Sequence, residues 1–171
     1  MDQYVQLARN TIDLYVRERK VYQPSDPELT EEMSHGRAGA FVSIHEHGDL
    51  RGCIGTIAPT RTCLAQEIIS NAISAATRDP RFPEIREDEL DDLEISVDVL
   101  GQAEPVRSEA ELDVKRYGVI VEKGFRRGLL LPDLEGVDTV ECQVAIARRK
   151  AGIGERETGV RLYRFEVIRH E

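Results

Sequence analysis

Gly48-Asp49-Leu50-Arg51-Gly52-Cys53-Ile54-Gly55 decides how the chain is laid out, because part of it returns as Gly124-Phe125-Arg126-Arg127-Gly128. Glycine, arginine and glycine recur at one constant offset. Outward from the first copy, Ala40-Phe41-Val42-Ser43-Ile44-His45 reads as a strand, His47-Gly48-Asp49 as a turn, and Leu50 to Ile57 as the returning strand. Outward from the second, Gly118 to Glu122 and Arg127 to Leu131 flank a turn at Lys123-Gly124. Each hairpin leads through a proline loop to a helical pattern and then to an alternating strand. The helices are expected over roughly 61–77, starting at Pro59-Thr60, and from Val137 to Ala151. Asp138 with Glu141 is read as the second helix's cap and its partner, and Gly152 as its C-terminal cap. The closing strands are 93–99, with Leu93, Ile95, Val97 and Val99 on one side, and 160–168, where one irregularity in the alternation is expected. A helix over 2–18 precedes the first hairpin, and Thr30-Glu31-Glu32 opens a short turn ended by Gly36.

The pattern predicts an α+β chain: two intertwined β-hairpin–helix–strand repeats (about 39–100 and 117–168) around a shared mixed or antiparallel sheet, plus the N-terminal helix. A length of 171 residues suits one domain spanning the whole chain. With 40% hydrophobic and 32% charged residues the composition is that of a globular protein. No run of about 18 apolar residues occurs, and the first residues lack the apolar stretch of a secretory signal. Three cysteines at unrelated spacings form no disulfide framework, so a cytoplasmic location is expected. The net charge of −9 argues against general nucleic-acid binding. Basic residues nonetheless gather late in the chain, at Arg126-Arg127 and Arg148-Arg149-Lys150.

Where the first copy has Cys53-Ile54-Gly55 the second has Leu129-Leu130-Leu131, so one repeat alone carries a thiol. Two readings of Cys53 stand. In one it is a small buried hydrophobe in a tight strand. In the other it is a nucleophile or acceptor atom in a shallow cleft. A regular strand would put Arg51, two residues away, on the same side, where a guanidinium favours the thiolate or grips an anion. Asp79 and Arg81 are candidates for the rim, and His45 on the paired strand is the candidate base. Gly52, Gly55, Phe82, Arg127 and Gly128 are the accompanying binding positions. His45 and His47 with Cys53 would give a metal at most three ligands, and neither CxxC nor HxxxH spacing occurs, so no metal is assigned. The residues identify no cofactor.

Leu50 to Gly55 (LRGCIG), the Pro59 loop, Asn71-Ala72, Ala75-Ala76 and the Asp79/Arg81-Phe82 segment, taken in order, resemble the AMMECR domain family. Gly128 to Pro132 and Lys150-Ala151-Gly152 resemble that family's second-half motifs, so the likeness covers nearly the whole chain. The bacterial and archaeal branch is called AmmeMemoRadiSam system protein A. The resemblance implies an α+β domain of two intertwined repeats, and Arg51, Gly52, Cys53 and Gly55 as signature positions. It also implies a Memo-like protein, related to non-haem-iron dioxygenases, and a radical SAM protein as partners. It implies no assigned reaction, leaving a cysteine-dependent enzyme and a non-catalytic binding or scaffold module as the two function classes. The chain departs from the family pattern at Val137-Asp138, where relatives have Trp-Asp, and at Arg148, where relatives often have cysteine.

Overall fold

The computed structural model describes residues 1–171, which divide into two compact units. The first comprises Met1–Leu100 with Ile168–Glu171, the second Gly101–Val167. Both are α+β and antiparallel.

The first unit opens with α1, Gln3–Glu18. Asp2 caps it by accepting from the Tyr4 and Val5 amides at 2.7 and 3.2 Å, and Arg19 in the left-handed region closes it. Tyr4, Val5, Ala8, Thr11 and Ile12 form its buried stripe. The short helix α2, Glu31–His35, is capped by Thr30 as expected. Strands β1, Ala40–Glu46, and β2, Asp49–Gly55, join through His47-Gly48. Both turn residues have positive φ (52° and 85°), the two-residue turn whose twist matches paired strands. Helix α3, Leu64–Thr77, follows, then β3, Leu93–Leu100, which pairs with β1 to give the order β2-β1-β3.

One face of this sheet carries Ala40, Val42, Ile44, Ile95, Val97 and Val99, buried beneath the apolar faces of α1 and α3. Gly52 sits on the helix side so close to α3 that an added Cβ would lie 2.2 Å from the Ala75 carbonyl oxygen. The β1–β2 register shifts between Ile44 and His45, because Ile44 faces Gly52 while His45 faces Leu50. Arg51 is thus the extra residue of a bulge, and the regular alternation expected of this strand is broken there. The end of the chain belongs to this unit: Arg169 pairs with Asp98 at 2.8 Å, and the His170 ring stacks on Tyr4.

The second unit has β4, Glu104–Val106, β5, Tyr117–Lys123, β6, Arg126–Leu130, α4, Val140–Ala151, and β7, Arg161–His170, whose last residues lie in the first unit. Its strands run β6-β5-β7-β4. β7 pairs with β5 without a shift from Arg161 to Glu166, so no irregularity falls in that part of the strand. The α4 cap is Thr139 rather than Asp138, its hydroxyl accepting from Cys142 N at 3.1 Å. Gly152 ends the helix at φ 74°, as expected. An added Cβ on Gly128 would lie 2.1 Å from the Ala147 carbonyl oxygen. Val119, Val121, Leu130, Val144 and Ala147 form this unit's core.

No helix is long and apolar enough to cross a membrane.

Candidate functional site

Cys53 lies on β2, the edge strand of the first unit's sheet. Since Gly52 faces α3, Cys53 projects from the opposite face. Ser43 faces it across β1, and Ser96 of β3 faces Ser43. The thiol is half-buried, and its sulfur is 3.3 Å from Ser43 Oγ. It sits neither in an apolar interior nor beside a base. His45 is not opposite it but faces Leu50 and Glu94, and lines a cavity of about 790 Å³ with Val5, Arg9 and Ser96.

At an antiparallel edge every second residue turns both main-chain groups away from the sheet. Cys53 is such a residue, and the loop after α3 covers it. The Cys53 amide donates to Asp79 Oδ2 at 3.0 Å, and Arg81 Nη2 donates to the Cys53 carbonyl at 3.4 Å. Asp79 also takes the Arg81 amide and Nε on Oδ1, both at 3.0 Å, and Nη2 on Oδ2 at 2.8 Å. A carboxylate and a guanidinium thereby stand in for the missing neighbouring strand. The Arg81 hydrogen bonds hold the Asp79 carboxyl well below the usual carboxylate range, although burial pushes the other way. The Arg81 guanidinium also lies over the Phe82 ring, 5.4 Å from its centre.

Arg51 is engaged elsewhere. Its Nε and Nη2 grip both oxygens of Glu89 at 2.9 and 3.0 Å, Nη1 donates to the Pro83 carbonyl at 2.8 Å, and Nη2 also to that of Glu84 at 3.2 Å. The pair is largely shielded, with side chains 14% and 11% exposed. Arg51 holds the Glu89 carboxyl down at about 2, against burial. Glu46, 3.7 Å from Arg51, shares a hydrogen bond with Glu89 that pushes its own carboxyl up. Glu46, His47 and Asp92 bring their donor atoms within 4.8 Å of one another, but His47 and Asp92 are exposed at the turn, a solvated acidic corner. Gly55 lies under the Phe41 ring, which an added Cβ would meet at 2.3 Å. In the second unit, Arg127 faces Glu122 at 3.9 Å from a half-exposed position, while Arg126 forms the closer pair, its Nη2 at 2.6 Å from Glu157.

Glu67 organises the loop that leaves β2. It is 1% exposed, on the fourth position of α3, and accepts from Thr56 Oγ1 (2.8 Å), Thr60 N (2.7 Å), Thr60 Oγ1 (2.6 Å) and Arg61 N (3.0 Å). Burial raises its carboxyl, but these bonds outweigh that and leave it below the usual range. Because Glu67 claims the amides of Thr60 and Arg61, α3 begins at Leu64 and not at Thr60 as the sequence suggested. Asn71 adds a bond from Nδ2 to the Ala40 carbonyl at 2.9 Å. Glu67→Gln puts an amide donor among four donors and is expected to cost about 2 kcal/mol in urea unfolding, with faster exchange of the Thr60 and Arg61 amides.

Glu67, Glu89 and Ser43 were not singled out from the sequence. A lone carboxylate inside the apolar run Leu64 to Ile69 is the signal that marks Glu67; Glu89 hides in an acidic run, and Ser43 in an ordinary strand.

The AMMECR1 family model matches residues 5–170. The chain belongs to the AMMECR1 family. A Thermotoga maritima protein is 57% identical over 169 residues, 98% of this chain and 97% of that one. Protein CA_C1420 of Clostridium acetobutylicum is 49% identical over 170 residues, and there the match covers 99% of this chain but 36% of the relative. The crystal structure of the uncharacterized protein PH0010 from Pyrococcus horikoshii superposes with a TM-score of 0.87 at 31% identity, covering 97% of this chain and 88% of that one. Membership in the AMMECR1 family carries the fold with it and assigns no reaction to the Cys53 strand.

Proposed function

We infer that this AMMECR1-family chain is a partner-binding accessory module in which Leu50–Gly55 is a rigid, braced edge and not a catalytic centre. One observation carries the reading: the charged side chains around the strand serve its architecture. Asp79 and Arg81 close the Cys53 main chain, and Arg51 is locked to Glu89. The sulfur's hydrogen-bonding neighbour is the neutral Ser43 hydroxyl, and the cation that interacts with it electrostatically, Arg81, is already paired with Asp79. The partners this reading takes are the Memo-like and radical SAM proteins implied by the resemblance.

The test is binding of the purified chain to those two proteins. Cys53→Ser is expected to keep the affinity within about a factor of two, since an isosteric change at a half-buried position removes little contact. Failure of the folded chain to bind either protein would overturn the module reading, and a loss of about tenfold or more in a folded Cys53→Ser variant would put the sulfur in the contact. The half-buried thiol on a polar sheet face favours a second reading, with Cys53 as the reacting atom. Alkylation at neutral pH separates the two. The module reading expects Cys53 to react no faster than Cys63 and Cys142, whereas an excess of about tenfold supports an activated thiolate.

A further inference from the structure

A different part of the first unit is shaped to take an anion. Between the residue that follows α2 and the start of α3 lies a cavity of about 810 Å³ lined by Arg37, Thr60, Arg61, Thr62, Cys63 and Gln66. Its lining is exposed apart from the half-buried Cys63, so it is an open surface groove and not an enclosed pocket. Six of the first unit's ten arginines, Arg17, Arg19, Arg51, Arg81, Arg86 and Arg169, each face a carboxylate at 3.1 Å or less. Arg37 and Arg61 do not. Arg37 Nε donates to the Arg61 carbonyl at 3.1 Å, and Arg61 Nη2 donates to Ser70 Oγ at 3.1 Å. Arg37 is thereby tied to the main chain of Arg61, and neither guanidinium has a carboxylate at salt-bridge distance, in a chain of net charge −9. Both Nη groups of Arg37 remain to form a fork on an oxyanion.

The carboxylate on this loop, Glu67, is turned into the main chain of Thr60 and Arg61 and does not line the cavity. Its negative charge behind the loop opposes an anion. It also fixes the backbone that carries Arg61, and the cavity wall itself bears the two positive charges. The α3 start adds to this field in a secondary way, because Cys63 supplies no side-chain acceptor to the first turn.

The geometry points to a binding site for the phosphate group of a small phosphorylated molecule, gripped by Arg37 and Arg61 with the Thr62 hydroxyl beside them. Phosphate is favoured over carboxylate because it brings a charge of about −1.5 to −2 on three terminal oxygens to two guanidiniums, whereas a carboxylate brings a single charge on two. This inference is independent of Cys53 and of the accessory-module reading.

The experiment is an amide NMR titration of the full chain with inorganic phosphate and with pyrophosphate, against acetate and chloride at matched ionic strength. Saturable shifts confined to residues near 37 and 60–66, stronger for the phosphates than for acetate, are expected. Arg37→Gln with Arg61→Gln should weaken phosphate binding at least about tenfold, and Arg37→Lys, which keeps the charge but loses the fork, by less. Arg86→Gln, remote from the cavity lining, should leave it unchanged. Equal shifts with chloride, no saturation, or an unaffected double variant would each overturn the site. Both side chains are exposed, so folding should survive; if the double variant does not fold, Arg37→Gln alone decides the question by the same readout.

Discussion

Gly52→Ala is expected to lower the stability of the chain by about 3 kcal/mol, near the upper end of what overpacking a core does. The new Cβ would stand 2.2 Å from the Ala75 carbonyl oxygen and 3.2 Å from its carbon. Both obstacles are helix backbone, so no side chain can rotate away. Either β2 or α3 must retreat, and α3 is held on its other side by α1. β2 is the edge strand, so it should yield first, dragging Arg51 from Glu89 and the Cys53 amide from Asp79. Gly128→Ala should be as damaging to the second unit, where the Cβ would meet the Ala147 carbonyl oxygen at 2.1 Å and the Ala151 methyl at 3.0 Å. Gly154→Ala is the control, because its nearest neighbour would be a Glu157 side-chain oxygen at 3.6 Å, and it should change stability by less than about 0.5 kcal/mol. Urea unfolding of the three variants gives the comparison. A Gly52→Ala protein as stable as the control would mean that the strand–helix contact is looser than these distances.

The two close approaches also show why much of the fold was legible. A glycine that recurs with its arginine marks a hairpin strand that must pass under a helix, and the alternating run at Leu93–Val99 names the buried side. What escaped was set by partners distant in sequence. Nothing local says that Glu67 will reach back to Thr60, so the α3 start was placed too early. Asp138 and Thr139 are both good caps, and it is the Thr139 hydroxyl that accepts from Cys142 N. The bulge at Arg51 needs the register of two strands to be seen. The same limit applied at the site. Asp79 and Arg81 could be named as companions of Cys53, but whether they meet its sulfur or its main chain depends on which edge of the sheet the loop crosses. Arg51 looked like a charge held in reserve because Glu89 belongs to an acidic run, Glu87 to Asp92, that reads as a solvated turn.

Asp79→Asn is the second change with a large expected effect, about 3 kcal/mol at neutral pH. The wild-type carboxylate accepts the Cys53 amide, the Arg81 amide and two Arg81 side-chain bonds while buried, and an asparagine must turn an NH₂ toward at least one of these donors. The pH dependence distinguishes this from a simple packing loss. The folded state lowers the Asp79 carboxyl below its ordinary 3.8, so its contribution is fully present above that value and fades as pH falls through the depressed one. The gap between wild type and Asp79→Asn should be the same at pH 7 and pH 5, and begin to narrow only below about pH 4. Glu89 behaves alike, its contribution complete above 4.5 and lost as pH falls toward about 2, so wild-type unfolding should steepen in the same acid range. Arg81→Gln provides the cross-check. It removes the donor to the Cys53 carbonyl and the charge that depresses Asp79, but leaves the carboxylate on the Cys53 amide, so it should cost less and raise the acid midpoint. If Asp79→Asn instead matched wild type from pH 7 to pH 3, the edge of β2 would be stable without its clamp. The pairing of loop and strand would then have to serve a ligand or partner that meets Asp79 directly.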